Sequence, residues 1–190
     1  GLFFASGAAG LVYEIVWMRL LSLTLSVTVY AVTTVLCAFM GGLAAGSLWI
    51  GRRIDRVARP LRVYGWLEIG VALAAWAVGP ALEAIRALYL DRLVPLGLSP
   101  LSTTTYQAVT LTAVLLVPTA LMGATLPLIV KRFSREYEIG KWSAFFYAIN
   151  TLGAFFGVLG GGFILLPRLG MQTTTAIASG INLLAGAAVE

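Results

Sequence analysis

The chain has 190 residues, 59% of them hydrophobic and 11% charged, with 13 basic against 8 acidic side chains and no histidine. So little charge leaves almost nothing for a soluble domain, and the missing histidine removes the commonest metal ligand and the usual proton carrier near neutral pH. In so apolar a chain the net charge of +5 is read as basic loops on the cytoplasmic side of a membrane, so no nucleic-acid partner is expected.

Leu93–Val130 and Leu20–Gly51 run 38 and 32 residues without a charged side chain. About 20 apolar residues cross a bilayer as a helix, so the expected class is an all-α integral membrane protein. In chain order, apolar runs and their punctuation predict six spans: residues 2–25, 28–51, 61–78, 101–130, 142–167 and 169–189. Gly79-Pro80 closes the third. Residues 81–94 then alternate apolar and charged side chains at helical spacing, as a helix lying in the interface would. Pro118 and Pro127 are expected to bend the fourth span.

Five arginines (Arg52, Arg53, Arg56, Arg59 and Arg62) follow the second span, and Lys131, Arg132, Arg135 and Lys141 follow the fourth. The other side carries only Arg86, Arg92 and Arg168. This asymmetry places both termini of a multi-pass membrane protein in the cytoplasm. Residues 2–11 lack a basic stretch ahead of them and do not read as a cleaved signal peptide. The start at Gly1 suggests a piece of a longer chain.

Ala38–Gly46 matches Ala154–Gly162 at five of nine positions, and the same offset of 116 puts Gly7-Ala8 on Gly123-Ala124. The paired spans would point in opposite directions. The expectation is therefore a three-plus-three inverted repeat, the construction of many transporter halves.

Gly153, Gly157 and Gly161 recur every fourth residue, and Gly42 and Gly46 repeat the spacing. Such ladders let a second helix backbone approach closely, inside the chain or in a protein partner or homodimer. Five tryptophans, at 17, 49, 66, 76 and 142, are expected to anchor at the interfaces.

Charge inside a span is costly and marks candidate sites. Glu14 is deepest, and three fates are open to it: pairing with an arginine, remaining protonated, or binding a cation. Arg19 is near enough to its helix end to snorkel. Glu68, about two turns from the arginine loop, is expected to pair with Arg52, Arg53 or Arg62. Gln107, Asn150 and Asn182 are amides within spans, suited to hydrogen bonds between helices or, with Glu14, to the lining of a cavity. No nucleophile–base pair, metal-ligand spacing or phosphate-cradling loop is present, so neither catalysis nor a cofactor is expected.

Gly41-Gly42-Leu43-Ala44-Ala45-Gly46-Ser47 with Gly51-Arg52-Arg53-Ile54-Asp55-Arg56 resembles the segment joining helices two and three of the major facilitator superfamily. That resemblance implies a fold like half of such a transporter, with Gly51, Arg52, Asp55 and Arg56 as a latch at the cytoplasmic ends and Asp55 in a salt bridge. Three other stretches resemble bacterial membrane-embedded spermidine-synthase-like proteins: Ser6–Leu21, Leu121–Pro127, and Tyr147–Ala154 with Leu165–Pro167 and Leu169-Gly170. In that family a transporter-like membrane region is often fused to a cytoplasmic aminopropyltransferase-like domain. The resemblance implies that any polyamine-gripping carboxylates would lie beyond Glu190, in a fused or associated soluble domain.

Three functions follow. The first is a non-catalytic membrane module handling a small cationic or amphipathic molecule, with Glu14 as the carboxylate facing the cation. The second is an accessory structural subunit of a larger, energy-transducing membrane complex. The third is a half-size transporter that works as a dimer across the fifth-span glycine ladder.

Overall fold

In a computed structural model the chain is all helix, and the structure describes residues 1–24, 28–96, 99–134 and 138–189. The expected span end at Leu25, the loop cation Arg135 and the terminal Glu190 lie outside the described residues. Six α-helical segments follow one another: α1 (Leu2–Thr24), α2 (Thr28–Gly51), α3 (Pro60–Leu88), α4 (Pro100–Phe133), α5 (Ile139–Gly160) and α6 (Leu166–Ala187). A 3-10 turn at Ile54–Arg56 joins α2 to α3, and a π turn at Gly161–Leu165 carries α5 into α6. Five helical runs are long and apolar enough to cross a membrane; the last, Ile139–Ala187, contains α5 and α6 together.

The third run departs from the sequence expectation. Gly79-Pro80 does not end it: α3 continues through Pro80 to Leu88, and a π turn extends it to Leu93, so residues 81–94 are not a separate interfacial helix. Proline removes the hydrogen bond to the carbonyl four residues back, yet lipid-embedded helices tolerate this where neighbouring groups compensate. Packing explains the continuity. The buried stripe Val71, Ala75, Val78, Leu82 keeps its helical period across the proline. Pro118 and Pro127 likewise sit inside α4.

Near the start of α6 the helix kinks at Gly170, whose φ of 74° and ψ of 176° belong to a region open almost only to glycine. A Cβ there would meet nothing within 4 Å. Gly170→Ala is therefore expected to cost backbone strain alone, about 1–3 kcal/mol. Gly180→Ala, equally uncrowded and in regular helix, should be neutral. Thermal unfolding of the two variants in detergent checks the contrast; equal midpoints would refute it.

Helix α4 packs on α2 and α3, while α1 packs on α5 and α6, and α3 meets α6. Glycines set the closest approaches. A Cβ on Gly153 or Gly157 would overlap the carbonyls of Phe4 and Ala8, so α5 lies directly against α1 and runs parallel to it. On the other side Gly46 lies on the Ala120 carbonyl, Gly123 on that of Leu43, and Gly42 makes room for Thr119. The Thr119 hydroxyl bonds the Leu115 carbonyl at 2.7 Å and lies 3.2 Å from that of Ala38, tying α4 to α2. Helix α6 runs antiparallel to α3: Gly186 sits on Gly65, and Ser179 reaches the Ala72 carbonyl at 3.4 Å. Gly42, Gly46, Gly153 and Gly157 are thus occupied within the chain, and Gly161 faces Val12 of α1. A partner would meet other faces.

Tryptophan divides in two. Trp49, Trp66 and Trp76 are exposed on the outer surface, as anchors would be. Trp17 is not: it is 1% exposed and stacks on Tyr13 at 5.7 Å, because both belong to the inward face of α1.

Candidate functional site

Helices α1, α2, α4 and α5 enclose a groove of about 330 Å³, at the small end for a ligand site. Small residues open it: Gly7 and Gly10 from α1, Ala44 from α2 and Gly123 from α4. Its walls are mainly apolar, with Phe3, Phe39, Leu43 and Met122 prominent. Ser6, Ser47, Thr125, Tyr147 and Asn150 supply its polar groups. That mixture suits a molecule with an apolar body and one hydrogen-bonding head.

A second polar centre lies between α1, α3 and α6, shut off from solvent. Glu68 is 0% and Asn182 1% exposed. The Asn182 side-chain amide donates to Glu68 Oε2. The Tyr13 hydroxyl lies 3.1 Å from Asn182 Oδ1 and 3.2 Å from Ser179 Oγ, and its single proton serves one or the other. When it donates to Oδ1, Tyr13 holds the amide orientation that presents the nitrogen to the carboxyl. Glu68 Oε1 and the Tyr64 hydroxyl are both buried, and among the described residues neither makes a hydrogen bond of good geometry, although the Tyr64 and Ser6 hydroxyls interact with the carboxyl. Tyr64 is one turn before Glu68 on α3, and Ser6 of α1 also stands beside the carboxyl. Ser6 lines the groove as well, so it connects the two centres.

Of the residues singled out from sequence, the structure brings Glu68 and Asn182 together and puts Asn150 in the groove. Glu68 was expected to pair with the arginine loop; its partner is Asn182, because it points inward between α1 and α6. Glu14 is 7% exposed but lines no part of the groove and takes no part in the Glu68 cluster. Gln107 is half-buried on α4 away from the groove, and Arg19 is exposed. At the α2–α3 turn, Arg52, Asp55 and Arg56 are exposed. Lys131 of α4 ties this turn to the rest of the protein, its ammonium donating to the Ile54 carbonyl, and among the described residues Asp55 has no salt bridge. Arg53 instead covers the Trp49 ring at 5.0 Å.

Sequence reasoning missed Ser6, Tyr64 and Ser179. The four-residue spacing of Tyr64 and Glu68, and the three-residue spacing of Ser179 and Asn182, place each pair on one helix face and were a readable signal. Nothing local marks Ser6, since a single hydroxyl in a span normally bonds its own helix.

Among curated proteins, this chain is similar to polyamine aminopropyltransferase 2 of Streptomyces coelicolor, 28% identical over 195 residues. The alignment takes in 98% of this chain but 32% of the relative, so the chain spans about a third of the length of the curated relative it matches. No family model matches the sequence. No solved structure matches it significantly.

Proposed function

We propose that this chain is a non-catalytic, membrane-embedded module of a spermidine-synthase-like protein, and that its groove binds a small amphipathic molecule through Ser47, Tyr147 and Asn150. The observation that carries this reading is the groove itself, a built cavity at the meeting of four helices in a chain that aligns with one third of an aminopropyltransferase. Among the described residues no carboxylate lines the groove. A neutral or singly charged head with an apolar tail suits it better than a free polycation, whose amines would each need an acceptor.

The module would have six spans with both termini in the cytoplasm, arranged as an inverted repeat. The packing supports this. Exchanging α1 with α4, α2 with α5 and α3 with α6 turns every major helix contact into another one present. The close approaches repeat in the same way. Gly7 against Asn150 has its counterpart in Gly123 against Leu43, and Gly153 against Phe4 in Gly46 against Ala120. Gly7 and Gly123 differ by 116, as do Phe4 and Ala120; Asn150 and Leu43 differ by 107, as do Gly153 and Gly46. Helices α1 and α4 thus keep the register of the sequence match, whereas α2 and α5 pair nine residues away from it. Gly41, which the sequence match aligns with Gly157, faces open space.

The test uses the full native polypeptide in lipid nanodiscs, titrated with octylamine and, separately, with spermidine. Saturable octylamine binding is expected. Asn150→Leu should weaken it about tenfold or more, the loss of one hydrogen bond to a charged head. Ser47→Trp, which fills the groove, should abolish it. Absence of saturable octylamine binding, or binding indifferent to both substitutions, would refute the reading. Spermidine binding that outcompetes octylamine would overturn the preference for an amphipathic ligand.

A further inference from the structure

We propose that Glu68 is a proton-binding site in exchange with the groove through the Ser6 hydroxyl. Its carboxyl is fully buried, one oxygen holds the Asn182 amide, and the other makes no hydrogen bond of good geometry among the described residues. An isolated charge in a span is costly and is kept only where it is paired or neutralised. A proton removes the charge and gives Oε1 an O–H donor, for which Tyr64 and Ser6 supply the neighbouring acceptor oxygens. The Tyr64 hydroxyl is the second observation: it is buried beside the carboxyl, and among the described residues neither it nor Oε1 makes a hydrogen bond of good geometry.

The groups facing the carboxyl come from three helices. Helix α1 presents Tyr13 and Ser6, α3 presents Tyr64, and α6 presents Asn182, with Ser179 behind it. Tyr13 and Tyr64 are titratable, and no basic side chain acts on Glu68 among the described residues. Exchange with the groove conserves every atom. A hydronium ion in the groove gives a proton to Ser6 Oγ as the proton already on that oxygen passes to Glu68 Oε1. Water is left in the groove, a neutral hydroxyl on Ser6 and a carboxylic acid on Glu68; release is the reverse. Glu14, the other buried carboxyl, touches neither the groove nor this relay.

The inference does not depend on what the groove binds, so its test is run without ligand. Infrared difference spectra of the full polypeptide in nanodiscs, carrying isotope-labelled glutamate, would be recorded as pH is varied and after transfer to heavy water. A protonated-carboxyl stretch that titrates reversibly is expected, absent in Glu68→Gln and retained in Glu14→Gln. Ser6→Ala should keep the band and slow its deuterium shift about tenfold or more, a readout that survives if Glu68→Gln fails to fold. A band lost in Glu14→Gln, no labelled band at any pH, or a shift rate unchanged by Ser6→Ala would each overturn the proposal. Displacement of the band by sodium at fixed pH would reassign the site to a metal cation and overturn it equally.

Discussion

Gly153→Ile and Gly46→Ile are each expected to leave almost no folded protein. In both cases the added Cβ would overlap a backbone carbonyl of the facing helix, Phe4 for Gly153 and Ala120 for Gly46. A side chain can swing away, but two helix backbones can only separate. Separation would undo the α1–α5 or α2–α4 seam along its length. Overpacking an ordinary core site costs about 1–3 kcal/mol, and these contacts exceed that because nothing flexible lies between the backbones. Gly41→Ala is the matched control, since a Cβ there meets nothing within 4 Å. Size-exclusion profiles and unfolding midpoints of the detergent-solubilised variants check the prediction. It fails if Gly153→Ile or Gly46→Ile behaves like Gly41→Ala.

Asn182→Ala should destabilise the protein by about 3 kcal/mol, at the upper end for a buried polar group left unsatisfied. The substitution removes the donor to Glu68 Oε2 and an acceptor beside Tyr13 in one step. Oε1 already lacks a hydrogen bond of good geometry among the described residues, so the whole carboxyl would be stranded. Glu68→Leu combined with Asn182→Leu should recover most of that loss, because replacing both members of a buried polar pair by apolar side chains of similar size is often close to neutral. A double-mutant cycle read by denaturant unfolding should give a coupling of about 1–3 kcal/mol. Additive effects would mean that the two groups do not act together.

The helical runs were legible because lipid leaves the backbone few options. Each buried N–H and C=O must be satisfied within its own segment, so a long charge-free stretch is a helix. The glycine spacings were legible for a related reason, since association inside lipid needs close backbone approach. The site was only partly legible. Asn150 and Asn182 stood out as amides in apolar runs, but the order of Glu14 and Glu68 was not legible. Depth along its helix puts Glu14 first and gives Glu68 to the arginine loop, and only packing decides the reverse, that Glu68 meets Asn182 while Glu14 meets no part of the groove.

The sequence by itself determined that the chain carries helices long and apolar enough to cross a membrane, the positions of most of them and the residues small enough for close contact. Those properties follow from the composition of each segment, which lipid reads one helix at a time. Only the tertiary structure decided which helices pair, that α3 runs on through Pro80, that Gly46 meets the Ala120 carbonyl while Gly41 faces open space, and that Ser6 joins the groove to Glu68. These spans are apolar on the side facing lipid as well as on the side facing protein, so no polar face marks which way a helix turns. Its rotation and register are left to close packing between surfaces far apart in the chain.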